Sequence, residues 1–218
     1  MIQYPTSIVD VSNIGRIDWS EFNTLILADG NYNFSDDLKS QLTDWIKKGG
    51  KVIAMNEALG LFENNDNYAL SVFATDEDKT KAETEAKEKE LKSRLFDFHN
   101  NERRLISSSI PGAIIENALD TSHPLSFGLG NSYFSLKTDA RKYSLLTKAS
   151  NVIYVPKNYS SYGFVGHNLK KKLEETVTFA VEKKEKGTVI YMIDNPLFRG
   201  FWENGILLFS NALFQVQY

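Results

Sequence analysis

The sequence predicts an α/β domain with a mostly parallel sheet and an antiparallel edge hairpin, and three stretches of the chain carry that prediction. Residues Thr24 to Met55 run strand, helix, strand at the spacing of a βαβ unit, which pairs its strands in parallel. Thr176 to Val181 and Thr188 to Ile193 are β-prone runs joined by a Glu/Lys-rich segment that ends in Gly187, the pattern of a hairpin. Gly205 to Phe214 is an apolar helix rich in Leu and Phe, suited to cover the sheet. No internal repeat is visible, so residues 1–218 read as a single domain.

Taken in order, Ser7 to Val11 and Thr24 to Ala28 are short β-branched and aliphatic runs, and the second reads as a buried strand ending at the turn signal Asp29-Gly30. The helix that follows is the clearest element. Ser35 is an N-cap, and Asp36 and Asp37 suit the positive end of the helix dipole. Leu38, Leu42, Trp45 and Ile46 fall on one stripe, and Gly49-Gly50 supplies the stop. Lys51 to Met55 then reads as a second buried strand. From about residue 76 to 104 the composition turns to Lys and Glu, which predicts a solvated helical insertion anchored through Leu91, Leu95, Phe96 and Phe98. Short strand-like runs follow at Ala113 to Ile115 and Val152 to Val155, with a turn-rich stretch between them.

Composition narrows the function. The chain has 218 residues, 42% of them hydrophobic, enough for one sizeable core. A net charge of −3 supplies no basic field for nucleic acid, and Lys170-Lys171-Lys172 lacks aromatic stacking partners. No apolar run reaches the roughly 18–20 residues of a membrane span. The start, Met1 to Pro5, does not show a charged segment followed by an apolar one, so no signal peptide is expected in this chain. The absence of cysteine removes disulfides, thiolate zinc sites and cysteine nucleophiles together.

Leu25 to Gly30, followed by Trp45 to Leu61, resembles the class I glutamine amidotransferase-like fold, in which a strand leads into the nucleophile elbow. Matched on that strand, Asn56 falls at the position of the family's cysteine. The family's His-Pro-Glu segment matches Asn195-Pro196-Leu197, placing Asn195 at the histidine and Leu197 at the glutamate. That chemistry needs an activated nucleophile, a base and a group that orients the base. Asn, Asn and Leu supply none of them, so the chain is expected to perform no catalysis of its own. The resemblance implies a flavodoxin-like, three-layer sandwich whose first βα unit is missing ahead of Ser7.

A narrower resemblance rests on Ile110 to Ala113, on Asp120 to Gly128 (with His123 and Pro124), and on Asp194 to Trp202 (with Arg199 and Trp202), closing on Asn211-Ala212. These segments resemble the amidotransferase-like domains found C-terminal to zinc carboxypeptidases of the M14 family in Bacteroidetes-type bacteria. The resemblance implies a bacterial accessory domain whose partner is a peptidase domain of the same polypeptide. It further implies that zinc is held only in that other domain and that the location is periplasmic or secreted. It leaves homo-oligomerisation open.

Individual residues admit quieter readings. Asp29, Gly30, Asn56 and Glu57 are expected at the carboxyl ends of adjacent strands, with Asn195 nearby, where open α/β sheets form ligand crevices. They form either a small polar ligand pocket, as in a sensor module, or a remnant held by internal hydrogen bonds. His99-Asn100-Asn101-Glu102 has a metal-like spacing but lies in the charged segment, and a solvated pair is expected there rather than a metal site. His123 is expected to hold its loop through backbone hydrogen bonds. Arg199, among Phe198, Phe201 and Trp202, is expected to be a structural clamp. Gly128-Leu129-Gly130 reads as a turn, lacking the third glycine of a dinucleotide loop.

Overall fold

A computed structural model describes residues 5–72, 80, 84, 86, 87, 90 and 98–216. Nine strands share one curled, mixed sheet: β1 (Thr24–Leu27), β2 (Lys51–Met55), β3 (Gly112–Leu119), β4 (Ser132–Lys137), β5 (Tyr143–Ser144), β6 (Ser150–Val155), β7 (Ser161–Phe164), β8 (Thr176–Lys184) and β9 (Gly187–Met192). The main order is β1-β2-β9-β8-β6-β3-β4, with β5 on β8 and β7 on β3. Helices with defined bounds among the described residues are α1 (Asp36–Lys47), α2 (Phe98–Ser107), α3 (His167–Lys170) and α4 (Glu203–Phe214).

Parallel pairing is confined to β1–β2 and β2–β9, and every other pair is antiparallel. The expected mostly parallel sheet is therefore a mixed one. The β8–β9 hairpin forms, but in the middle of the sheet rather than at an edge. Its turn packs tightly: a Cβ on Gly187 would stand 1.8 Å from Ile46 O and 2.5 Å from Gly50 O, so only glycine lets the hairpin lie against the end of α1.

The βα segment follows its local chemistry. Ser35 caps α1 by accepting the Leu38 N–H at 3.3 Å, and Leu42, Trp45 and Ile46 are buried on its inner stripe. All five residues of β2 are buried, because the sheet is covered on both faces. Val52 and Ala54 join a core cluster with α1, while Ile53 and Met55 join another with Leu208 and Ala212 of α4. Lys51 ties the two layers together, its Nζ donating to Ala212 O at 3.2 Å and Leu213 O at 2.9 Å at the carbonyl end of α4. A third apolar cluster joins Ile110, Ala113 and Ile115 to Leu169 and Leu173.

Two further expectations need correction. Ser7 to Val11 forms no strand: Ser7 to Asp10 is irregular, and Val11–Arg16 is a 3-10 helix capped by Asp10. The turn-rich stretch after Ile115 contains β4, β5 and the start of β6. Of the charged insertion expected to be helical, most positions, among them Leu91, Leu95 and Phe96, lie outside the described residues; those described, including Phe98–Ser107, are helical.

Candidate functional site

The site begins where β1 and β2 end side by side. Their register pairs Leu27 with Ala54, which brings Asp29 level with Asn56 just beyond the strands. Asn56 Nδ2 donates to Asp29 Oδ2 at 3.2 Å, and the Glu57 N–H donates to Asp29 Oδ1 at 3.2 Å. Asn56 adopts a φ of 48°, the left-handed region that Asn tolerates better than most residues. Its Oδ1 is buried and has no hydrogen-bond partner among the described residues. The chain turns sharply here from β2 into the 3-10 helix Asn56–Leu61.

Glu57 extends the cluster outward, its Oε1 lying 3.7 Å from Arg141 Nη2. The Arg141 N–H donates to Asp139 Oδ1 at 2.8 Å, and Asp139 Oδ1 is also 3.8 Å from Lys137 Nζ. Lys137, buried at the end of β4, donates to Asp194 Oδ1 at 3.0 Å. Ser135 Oγ donates to Asp194 Oδ2 at 2.7 Å and accepts from Asn117 Nδ2 at 3.1 Å. Thr178 Oγ1 in turn donates to Asn117 Oδ1 at 2.7 Å. A continuous polar belt thus runs from Asp29 around the strand ends to the inside of the curled sheet. Tyr133 borders it, and burial, reinforced by the Asp194 charge, pushes its phenol well above the ordinary value.

Sequence reasoning located the outer half of this belt and missed the inner half. Asp29, Asn56 and Glu57 do converge. Gly30 lies beside them in the turn, whose backbone is held by Tyr32 Oη donating to Ala28 O at 3.0 Å. Among the described residues, no hydrogen bond or ion pair joins Asn195 to Asn56 or Asp29. Asn195 Oδ1 instead accepts the Leu197 N–H at 2.9 Å, turning the side chain back onto its own loop. The signal for Ser135 and Lys137 was present as alternation in Tyr133, Ser135 and Lys137, which all face inward, but polar residues on the inward side disguise a strand.

The remaining singled-out residues hold loops. His123 Nδ1 accepts the Leu125 N–H at 3.0 Å, capping the turn Pro124–Ser126. Burial lowers the histidine pKa, with the Asp120 charge opposing more weakly. Asn211 Nδ2 reaches from α4 to Leu125 O at 3.0 Å and Phe127 O at 2.7 Å, fastening the same loop. Arg199 has a φ of 51° and sets its guanidinium 5.2 Å from the Phe198 ring centroid. Trp202 Nε1 donates to Phe134 O at 2.8 Å. Among the described residues no group of three His, Cys, Asp or Glu side chains is placed to hold a metal ion, and no helix is long and apolar enough to cross a membrane.

Neither a protein-family model nor a curated protein matches the sequence. Solved structures do match the fold. A ThuA-like protein from Bacteroides uniformis superposes with a TM-score of 0.50 at 12% identity, over 92% of this chain and 72% of that one. The chain thus shares a mixed α/β fold with a ThuA-like protein, and ThuA-like proteins have an amidotransferase-like fold. A cytoplasmic protein from Salmonella typhimurium gives a TM-score of 0.51 at 10% identity, over 99% of this chain and 77% of that one. A second ThuA-like protein, from Parabacteroides merdae, is a looser match at 0.46 and 13% identity, over 97% and 76% of the two chains. At these identities the likeness concerns the fold alone.

Proposed function

We propose that this chain is a non-catalytic amidotransferase-like domain that serves a longer protein in a structural or positioning role. The observation that carries the reading is Asn56. It stands in a left-handed conformation at the tip of β2, where the fold turns sharply into a helix, and its amide donates to the Asp29 carboxylate. Strained backbone of this kind clusters at functional sites, and here it carries a side chain that is neither nucleophile, acid nor base. Asn195, at the position matched to the family's histidine, is spent on capping Leu197. A flavodoxin-like three-layer arrangement is part of the same reading, supported by α1 and α4 covering opposite faces of β2 and β9.

The parent we propose is a bacterial zinc carboxypeptidase of the M14 class, exported to the periplasm or beyond. This rests on the sequence resemblance through Asp120 to Gly128 and Asp194 to Trp202. An antibody raised against this chain and used on the source organism tests it. A band far above 24.7 kDa that also carries a peptidase domain is the expected result, and a band at that mass overturns the accessory role. A second reading, a small-ligand sensor at Asp29, Asn56 and Glu57, is favoured by the buried Asn56 Oδ1, an acceptor that lacks a partner among the described residues. A ligand-induced rise in Tm that disappears in Asn56→Leu would support it over the first.

A further inference from the structure

Beyond Arg141 the polar belt opens into a cleft of about 270 Å³ lined by Glu63, Val72, Ala140, Arg141, Lys142 and Tyr143. Its volume lies just under the roughly 300 Å³ at which drug-sized ligand pockets begin, so it suits a smaller molecule. The two cations in its wall are incompletely matched. Arg141 Nη1 is buried and has no hydrogen-bond partner among the described residues, and its Nη2 meets Glu57 only at 3.7 Å. Lys142 is half-buried; that burial, with repulsion from Lys172 and Lys137, lowers its ammonium pKa. The acid in the wall has neighbours of its own. The Glu63 charge, adding to burial, pushes the Tyr143 phenol up, and Glu63 accepts from Asn64 Nδ2 at 3.4 Å.

A guanidinium with an unpartnered Nη1 suits a carboxylate oxygen. A bare dianion fits poorly, because Glu63 lines the cleft and Glu57 already lies against Arg141. A ligand bearing both signs satisfies both ends, and Val72 and Ala140 leave an apolar surface for a short aliphatic group. We propose that this cleft binds a small zwitterion of the α-amino-acid class, its carboxylate on Arg141 and Lys142 and its ammonium toward Glu63. The proposal is independent of whether the chain is catalytic and concerns a different cleft from the Asn56 tip.

Isothermal titration calorimetry of the full chain with L-valine tests it, with valinamide, N-acetylvaline and inorganic phosphate as comparison probes. The expected result is saturable binding of valine. Removing either charge from the ligand, or making Arg141→Met, should weaken it at least tenfold. Arg141→Lys should retain part of the affinity, and unchanged far-ultraviolet circular dichroism and Tm would show that the variants fold. Three results overturn the proposal: no saturable heat with millimolar valine, valine binding untouched in a folded Arg141→Met, or phosphate and N-acetylvaline binding as well as valine.

Discussion

Lys137 Nζ and Asp194 Oδ1 stand 3.0 Å apart, with the two side chains only 5% and 7% exposed. The pair ties the far strand β4 to the loop that leaves central β9, and so holds the sheet in its curl. Removing one member of such a pair leaves a buried charge uncompensated, at a cost of about 3–5 kcal/mol. Asp194→Ala should therefore lower the urea midpoint far more than Asp139→Ala does at the exposed end of the same lysine. Lys137→Met with Asp194→Leu should recover much of the loss, since a matched apolar pair avoids the stranded charge. Equal midpoints for the two single variants would contradict this role.

His123 should make stability depend on pH. Its Nδ1 accepts the Leu125 N–H, which requires a neutral ring, and burial holds its pKa below the ordinary 6.5. As pH falls below about 6.5 the unfolded chain takes up a proton that the folded chain resists, so the unfolded state gains ground. Stability contributed by His123 is thus complete above about pH 6.5 and declines below it, until the folded ring also titrates. Tm measured from pH 7.5 to 5 should fall less steeply in His123→Asn, which keeps a capping acceptor without a titrating group. An identical slope in both proteins would refute the assignment.

Gly187→Ala should be among the most damaging single changes. The new Cβ meets the Ile46 and Gly50 carbonyl oxygens, backbone atoms that move only if the hairpin turn and the end of α1 separate. Overpacking costs typically about 1–3 kcal/mol, and two backbone contacts put this variant at the upper end. Gly60→Ala, with open space around its Cβ position, is the matched control and should change the midpoint little.

Lys51→Met should loosen α4 from the sheet. It removes the donor to Ala212 O and Leu213 O, and a buried carbonyl without a partner costs about 1–3 kcal/mol. Hydrogen exchange should speed up in the last turn of α4 before it changes in β8 or β9. Uniform acceleration across the sheet would mean that Lys51 acts on global stability alone.

What the sequence disclosed follows from where each element gets its cues. α1 carries its own: a Ser35 cap, acidic first turn, apolar stripe and glycine stop. β2 is apolar throughout because both its faces are covered. The hairpin's position was hidden by Thr176 and Thr178. Alternation with Val177 and Phe179 suggests a half-exposed edge, yet both threonines are buried, donating to Leu173 O and Asn117 Oδ1. β4 was invisible for the same reason, since its inward residues include Ser135 and Lys137, and their partner Asp194 lies 57 residues on from Lys137. Half of the site was legible because Asp29 and Asn56 end adjacent strands of one βαβ unit. Arg141 lies outside any strand, and only the curl of the sheet brings it to Glu57.

The central claim, that this amidotransferase-like fold carries no catalysis of its own, is tested most directly by turnover assays on the purified chain. Glutamine, a p-nitrophenyl ester and a blocked dipeptide cover the three reaction classes. The expected rates are no higher than buffer for wild type, Asn56→Ala and Glu57→Gln alike. Saturable turnover of any of the three substrates, lost in Asn56→Ala or Glu57→Gln, would contradict it.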